Sequence, residues 1–407
     1  MSNGDTFGPL SGIRVIELAG MGPVPFCGML LGDMGADVLR IDRVEPSGNG
    51  IDMSERFDLR GRNKRSAKIN LKSPKGREIF MRLVGGADIL LEGFRPGVVE
   101  RLGIGPDDCF AVRSQLVYGR ATGFGQDGVL AQSAGHDINY IALTGALAMI
   151  GQKDGPPTPP LNLVGDYGGG ALYLAFGVMC ALQEARRAGK GQVVDAAMVD
   201  GVTSLLAIFH GLRQAGQLSG PRGTNVLDGG APYYTTYETR DGQHVAVGAL
   251  ESRFYEILLE RLELDPADIP NRADRSRWPE LRSAIADRFR KRTRDDWIQV
   301  FKDSDACVTP VLSLEEAEQY SHNRTRELFI DFAGLKHPAP APRLKRTPGE
   351  LRRPPAIAGA DTIEALSDWG IEESEIVSGL DENILAISQR AKREATSLAG
   401  ANHGQAL

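Results

Sequence analysis

Cysteine is scarce in this chain: four residues in 407, at Cys27, Cys109, Cys180 and Cys307, with no CxxC pair. That spacing excludes a thiol redox motif and predicts four reduced, mostly buried thiols. Histidine is nearly as rare, six in all, and no histidine–cysteine grouping has metal-ligand spacing, so no metal is expected. The GxSxG elbow, the GxxxxGK phosphate loop and the HExxH zinc motif are all missing. Long hydrophobic runs are also lacking. The most apolar stretch, Ala171 to Leu182, is shorter than the roughly 20 residues that span a bilayer. The first residues lack a charged-then-apolar signal pattern, and a cytoplasmic location is expected. Neither sign of charge dominates: 47 basic and 53 acidic residues leave a net charge of −6, which argues against nucleic acid or a membrane surface as partner.

What is present is a hydrophobic content of 42%, enough for a core, in a chain long enough for two domains. Ile13 to Leu18 reads as a buried strand, Pro25 to Met34 as a helix and Ala36 to Ile41 as a second strand, a βαβ unit that implies a parallel sheet. The pattern recurs with a helix over Pro74 to Val84, capped by Ser73, and strands over Asp88 to Glu92 and Leu116 to Thr122. Gly170 to Arg187 and Val199 to Gly216 read as helices around a strand at Gln192 to Ala197. Beyond Gly220 the texture changes. Tyr233 to Thr239 and His244 to Ala249 alternate about Asp241-Gly242 as a hairpin. Helices are expected over Ser252 to Leu262, Trp278 to Arg290 and Arg294 to Lys302. Leu335 to Pro355 holds six prolines and reads as an extended linker, Asp361 to Gln389 as helical, and the tail after Lys392 as mobile. The expected division is a large α/β domain over 1–220, a small α+β domain over 221–335, and a return to the large domain over 336–407.

Several constellations carry chemistry. Gly20-Met-Gly22-Pro-Val-Pro25 resembles a dinucleotide fingerprint with Asp42 downstream, but Pro25 stands where Gly or Ala should, so it reads as a plain βα turn. Arg60, Arg62, Lys64, Arg65, Lys68, Lys72 and Lys75 fall in a stretch with no acid between Arg60 and Lys75, which suggests a bound polyanion. Arg40, Arg43 and Arg95 add cations at strand ends, where α/β sheets bind ligands. His136 follows Gly135 and precedes Asp137 and Asn139, which can orient it or bind ligand. Asp166 opens onto Gly168-Gly169-Gly170, room enough for backbone N–H groups to approach an anion. A neutral-range base and a carboxylate in such settings suit proton transfer at carbon. Glu251 ends a strand of the small domain.

A set of segments now becomes recognisable in its order: Val15-Ile-Glu-Leu-Ala, Val38-Leu-Arg-Ile-Asp-Arg43, Asn63-Lys-Arg-Ser66, Gly93-Phe-Arg-Pro-Gly97, Ala134-Gly-His-Asp-Ile-Asn-Tyr140, Pro160-Leu-Asn-Leu-Val-Gly-Asp166, Gly189-Lys-Gly-Gln-Val-Val-Asp195, Asn225-Val-Leu-Asp-Gly-Gly-Ala-Pro-Tyr233 and Asp305-Ala-Cys-Val-Thr-Pro310. From about Leu10 to Pro342 the chain resembles the family III CoA-transferase superfamily, and within it the branch that racemises 2-methylacyl-CoA thioesters. The resemblance implies a Rossmann-like large domain, a small domain and an interlocked homodimer, with each active site shared between the large domain of one copy and the small domain of the other. It implies that His136, polarised by Glu251, and Asp166 act as acid/bases on opposite faces of the α-carbon. It implies that Arg40, Lys64, Arg65, Ile69, Asn70, Leu71, Lys72, Arg95, Gly135, Asp137, Asn139 and Tyr140 hold the CoA moiety, with no cofactor beyond the substrate's own coenzyme A. After Glu251 the family usually has proline and glutamine, where this chain has Ser252 and Arg253. The alternative within the superfamily is a CoA transferase with Asp166 as nucleophile. The alternative outside catalysis is a CoA-binding protein.

Overall fold

The structure is a computed structural model that describes residues 7–388 apart from 46, 47, 49, 51 and 219. The tail after Lys392 lies outside the described residues. The chain divides into two compact units. One comprises the residues up to Ile141, Asn162–Leu205 and those from Glu327 onward; the other comprises Ala142–Leu161 and Leu206–Arg326.

The first unit is built on strands β1 (Arg14–Leu18), β2 (Asp37–Asp42), β3 (Lys64–Ile69), β4 (Ile89–Glu92), β5 (Val117–Thr122) and β6 (Gln192–Ala197). They lie in the order β3-β2-β1-β4-β5-β6, all parallel, and Leu385–Ala386 extends the sheet antiparallel to β3. Helices cover both faces, as a buried parallel sheet requires. Val24, Cys27 and Leu31 of α1 (Pro23–Asp33) share one core with Leu174, Val178 and Leu182 of a long helix described below. Ile79, Phe80 and Leu83 of α2 (Pro74–Gly85) share the other with Leu366 and Trp369. The strand order reverses at β1, whose neighbours are β2 and β4. A ligand crevice forms at such a reversal, beyond the carboxyl ends of the strands. The turn Gly20–Gly22 leaves β1 there, and Gly93-Phe-Arg95 leaves β4.

The basic stretch is where sequence and structure part most. Lys64 to Ile69 is a strand, and its Lys64 and Arg65 are paired with acids from distant segments. Lys64 donates to Glu17 Oε2 at 2.6 Å and to Pro25 O at 2.8 Å, with neither side chain of the ion pair exposed. Burial pushes the Glu17 carboxyl up and the Lys64 ammonium down, each against the pull of its partner. Space for the pair depends on Gly28, where an added methyl would stand 1.8 Å from Glu17 Oε2. Arg62 clasps Asp33 at 2.6 Å, and Arg65 binds Asp37 at 2.8 Å and Asp368 at 2.6 Å. Lys75 pairs with Glu382 and Arg60 with Asp58.

Other differences are local. Ser73 makes no side-chain cap bond to α2. The helix expected over Val199 to Gly216 is two, Met198–Leu205 and Ala207–Gln214. The start of the proline-rich linker is a strand, Leu335–Pro338, paired with Phe329–Phe332. The C-terminal helical stretch is Thr362–Asp368 and Glu373–Asp381, then the strand that joins β3. Of the four free thiols, Cys27 and Cys109 are buried, while Cys180 and Cys307 are exposed. Asp137–Leu143, unforeseen, is a short helix (α3). The helix expected from Gly170 begins earlier: a π-helical segment, Leu163–Ala171, runs straight into α4 (Leu172–Ala188). Together they make a helix of 26 residues that is long and apolar enough, by those two measures alone, to cross a membrane.

The second unit carries the expected hairpin, β7 (Tyr234–Glu238) with β8 (His244–Gly248), plus a third antiparallel strand, β9 (Val308–Pro310). Helices Ser252–Arg261, Trp278–Phe289 and Arg294–Phe301 back it, around Leu258, Phe289 and Trp297. The sequence reading put 142–161 and 206–220 with the large domain; the compact units place them here. The tie is Arg222, whose guanidinium donates to the carbonyls of Ala148, Gln152 and Gly155.

Candidate active site

Asp166 lies in the π-helical turn, half-buried. Its backbone N–H donates to Asp137 Oδ1 at 2.7 Å, and its carboxylate accepts from Asn162 Nδ2 at 3.0 Å. The first bond ties the segment of His136 to that of Asp166, thirty residues on in the chain. Gly22, in the turn after β1, is on the same side: a methyl there would stand 3.5 Å from Asp166 Oδ1. The aspartate is therefore at the crevice that the strand order creates.

His136 is exposed, and its backbone N–H donates to Asn139 Oδ1 at 3.0 Å. Tyr140 is buried; its hydroxyl donates to the Gly135 carbonyl and its ring meets Phe124 edge-on at 4.9 Å. Burial pushes the Tyr140 phenol up, the charge of Asp166 adds to this, and Arg95 opposes it. Arg95 itself is exposed. A methyl at Gly135 would stand 2.8 Å from the Tyr140 ring, so the glycine serves close packing.

The three glycines after Asp166 also serve packing rather than anion access. A methyl at Gly169 would stand 2.7 Å from Val202 N, and one at Gly201 would stand 1.9 Å from Gly169 O. Two helical backbones approach there so closely that neither tolerates a Cβ. On the other side of Asp166, Tyr167 stacks on Phe26 at 4.6 Å, and Asp58 holds Arg60 in a bidentate pair.

The residues expected to hold CoA separate into two groups. Lys72 and Arg95 are exposed and have no ion pair among the described residues. Lys64 and Arg65 are spent on Glu17, Asp37 and Asp368, and Arg40 on Asp42 at 2.7 Å. Ile69 is a core residue, and Leu71 packs on the same core. Asn70 Oδ1 accepts from the Lys72 N–H at 3.2 Å and so shapes the turn that presents this lysine. Asp137, only 6% exposed, faces the backbone of Asp166 rather than solvent. The sequence reading assigned no role to Asn162; only the quoted segment around it marked its neighbourhood.

In the second unit Glu251 is exposed at the start of the helix Ser252–Arg261 and makes no side-chain cap bond. Arg253 pairs with Asp305 at 3.3 Å. Burial pushes the Cys307 thiol up, and the charges of Glu251 and Asp305 add to this.

The alpha-methylacyl-CoA racemase of Mus musculus is 46% identical over 371 residues, 90% of this chain and 95% of that protein. The alpha-methylacyl-CoA racemase of Homo sapiens is 44% identical, with the same coverage of 90% and 95%. A CaiB/BaiF family protein from Brucella suis, solved by crystallography, has the same fold at a TM-score of 0.77 and 23% identity, over 89% of this chain and 100% of that one. The profile of CoA-transferase family III matches residues 10–362. The chain belongs to CoA-transferase family III.

Proposed function

We propose that the chain interconverts the (R) and (S) epimers of 2-methylacyl-CoA thioesters by 1,1-proton transfer. A thioester acidifies its α-proton only modestly. One group must therefore take that proton while the enolate oxygen is stabilised, and a second must return a proton to the opposite face. His136 and Asp166 are the two acid/bases in this reading. The observation that carries it is the hydrogen bond from Asp166 N–H to Asp137 Oδ1, which brings the histidine's own segment against the aspartate's turn. The identity to two racemases over nine-tenths of the chain supports it. Backbone N–H groups near Asp137 are the proposed enolate donors. Lys72 and Arg95 are the proposed phosphate contacts, since Arg40, Lys64 and Arg65 are already paired with carboxylates. No metal or redox cofactor is needed, because coenzyme A is part of the substrate.

The assembly in this reading is an interlocked homodimer in which Glu251 of a second copy polarises His136. Support comes from the surface of the long helix: Leu163, Leu172 and Phe176 are 55%, 51% and 70% exposed. A water-facing patch of this kind marks a contact surface. The opposite side of the helix packs Leu174, Val178 and Leu182 into the core.

The test is a single 2-methylacyl-CoA epimer incubated in D₂O. Deuterium uptake with convergence of the epimers is the expected result, lowered by about 10²–10⁴ in both Asp166→Asn and His136→Ala. Absence of exchange together with hydroxylamine-trappable acyl groups on Asp166 would make the enzyme a CoA transferase instead.

A further inference from the structure

We propose that Asp137 is a positioning residue for Asp166: its buried carboxylate holds the π-helical turn so that the Asp166 carboxylate is aimed at the reacting carbon. The proposal rests on the racemase reading above and adds to it a residue that does not touch substrate.

Three observations carry it. Asp137 Oδ1 accepts from the Asp166 N–H at 2.7 Å. The chain leaves room for the contact only because residue 165 is glycine, where a methyl would stand 2.5 Å from that oxygen. Asp137 Oδ2 is buried with no hydrogen-bond partner among the described residues. A buried carboxylate oxygen without a partner is costly, so the arrangement is held by what the other oxygen does. In a π-helical turn the usual i to i−4 ladder is broken. A side-chain acceptor from another segment therefore decides where the N–H of Asp166, and with it the side chain, points. Burial pushes the Asp137 carboxyl up, and the charge of Asp166 contributes further, consistent with two carboxyl groups in one pocket.

The experiment compares wild type, Asp137→Ala and Asp137→Asn on each epimer of a 2-methylacyl-CoA in D₂O. α-Deuterium uptake and inversion are scored separately, alongside KM and thermal unfolding. In Asp137→Ala, inversion falls on the order of 100-fold, the effect of displacing a catalytic group by about 1 Å. KM stays within about twofold, since no substrate contact is removed. Exchange without inversion survives for the epimer that presents its proton to His136. Asp137→Asn keeps an acceptor oxygen for the Asp166 N–H and recovers about tenfold or more of the loss. A raised KM with kcat retained would make Asp137 a ligand contact and overturn the proposal. Parallel loss of exchange and inversion on both epimers, with no recovery in the asparagine variant, would also overturn it. Failure of the wild type itself to exchange or invert sinks the racemase reading instead, so the two failures are distinct.

Discussion

Replacing Lys64 by alanine separates two roles for this lysine. Held as a CoA contact, Lys64→Ala would raise KM and leave the fold intact. In the structure its ammonium makes three hydrogen bonds, two to Glu17 and one to the Pro25 carbonyl, and neither partner of the ion pair sees solvent. Removing the cation strands the Glu17 carboxylate in the sheet. Breaking a buried pair from one side costs about 3–5 kcal/mol. The same figure follows from protonation. Glu17 escapes by taking up a proton, at about 1.36 kcal/mol per unit between solution pH and its unfolded pKa, or about 3.5 kcal/mol at pH 7. The sign follows: a carboxyl whose folded pKa is raised loses stability as pH climbs above its unfolded value. The deficit of Lys64→Ala relative to wild type should therefore shrink to about 1 kcal/mol at pH 5. Thermal and urea unfolding of both proteins at pH 7 and pH 5 measure it; at pH 7 the midpoint should drop by roughly 5 °C. An unchanged midpoint with a raised KM would refute the reasoning and return Lys64 to the ligand.

Two further outcomes follow from groups outside the catalytic pair. His337 is fully buried with both ring nitrogens unpaired among the described residues, and burial, then the charge of Arg62, holds its pKa below the usual value. The unfolded chain takes up its proton near pH 6.5 while the folded chain resists, so stability falls as pH drops below about 6.5, by at most about 1.4 kcal/mol per unit. His337→Leu should remove that increment in urea unfolding at pH 7 and pH 5.5, and an unchanged acid slope would count against it. Lys72→Ala and Arg95→Ala should each raise KM for the thioester and weaken its dependence on salt, with the unfolding midpoint unmoved; an unaltered KM would take them out of the phosphate site.

The parallel sheet was legible because β1, β2, β4, β5 and β6 are short apolar or β-branched runs between helix signals. Strand β3 was not. Its Lys64, Arg65 and Lys68 read as part of a polyanion-binding stretch, and only the folded chain reveals the acids that bury two of them, Glu17 from β1 and Asp37 and Asp368 from opposite ends of the sequence. Asp166 stood out through its glycines, yet the reason for them did not: they fit a close helix crossing at Val202 and Gly201, a long-range contact that no local pattern encodes. Asp137 was visible as a neighbour of His136, but its contact with a backbone N–H 29 residues on was not.

The π-helical segment before α4 has a consequence of its own. A helix of the α type turns about 100° per residue, and a π turn holds roughly one residue more. The phase of Asp166 around the helix axis is thereby offset from the stripe Leu174, Val178, Leu182 and Ala185 that seats α4 in the sheet core. One continuous rod thus serves two masters at different angles. Its carboxyl-terminal part is indexed to the hydrophobic core, and its amino-terminal part to the crevice above β1. An uninterrupted α-helix with the same core stripe would carry the aspartate around its circumference, away from Asp137, so the single surplus residue works as a gear tooth that lets packing and chemistry keep separate bearings.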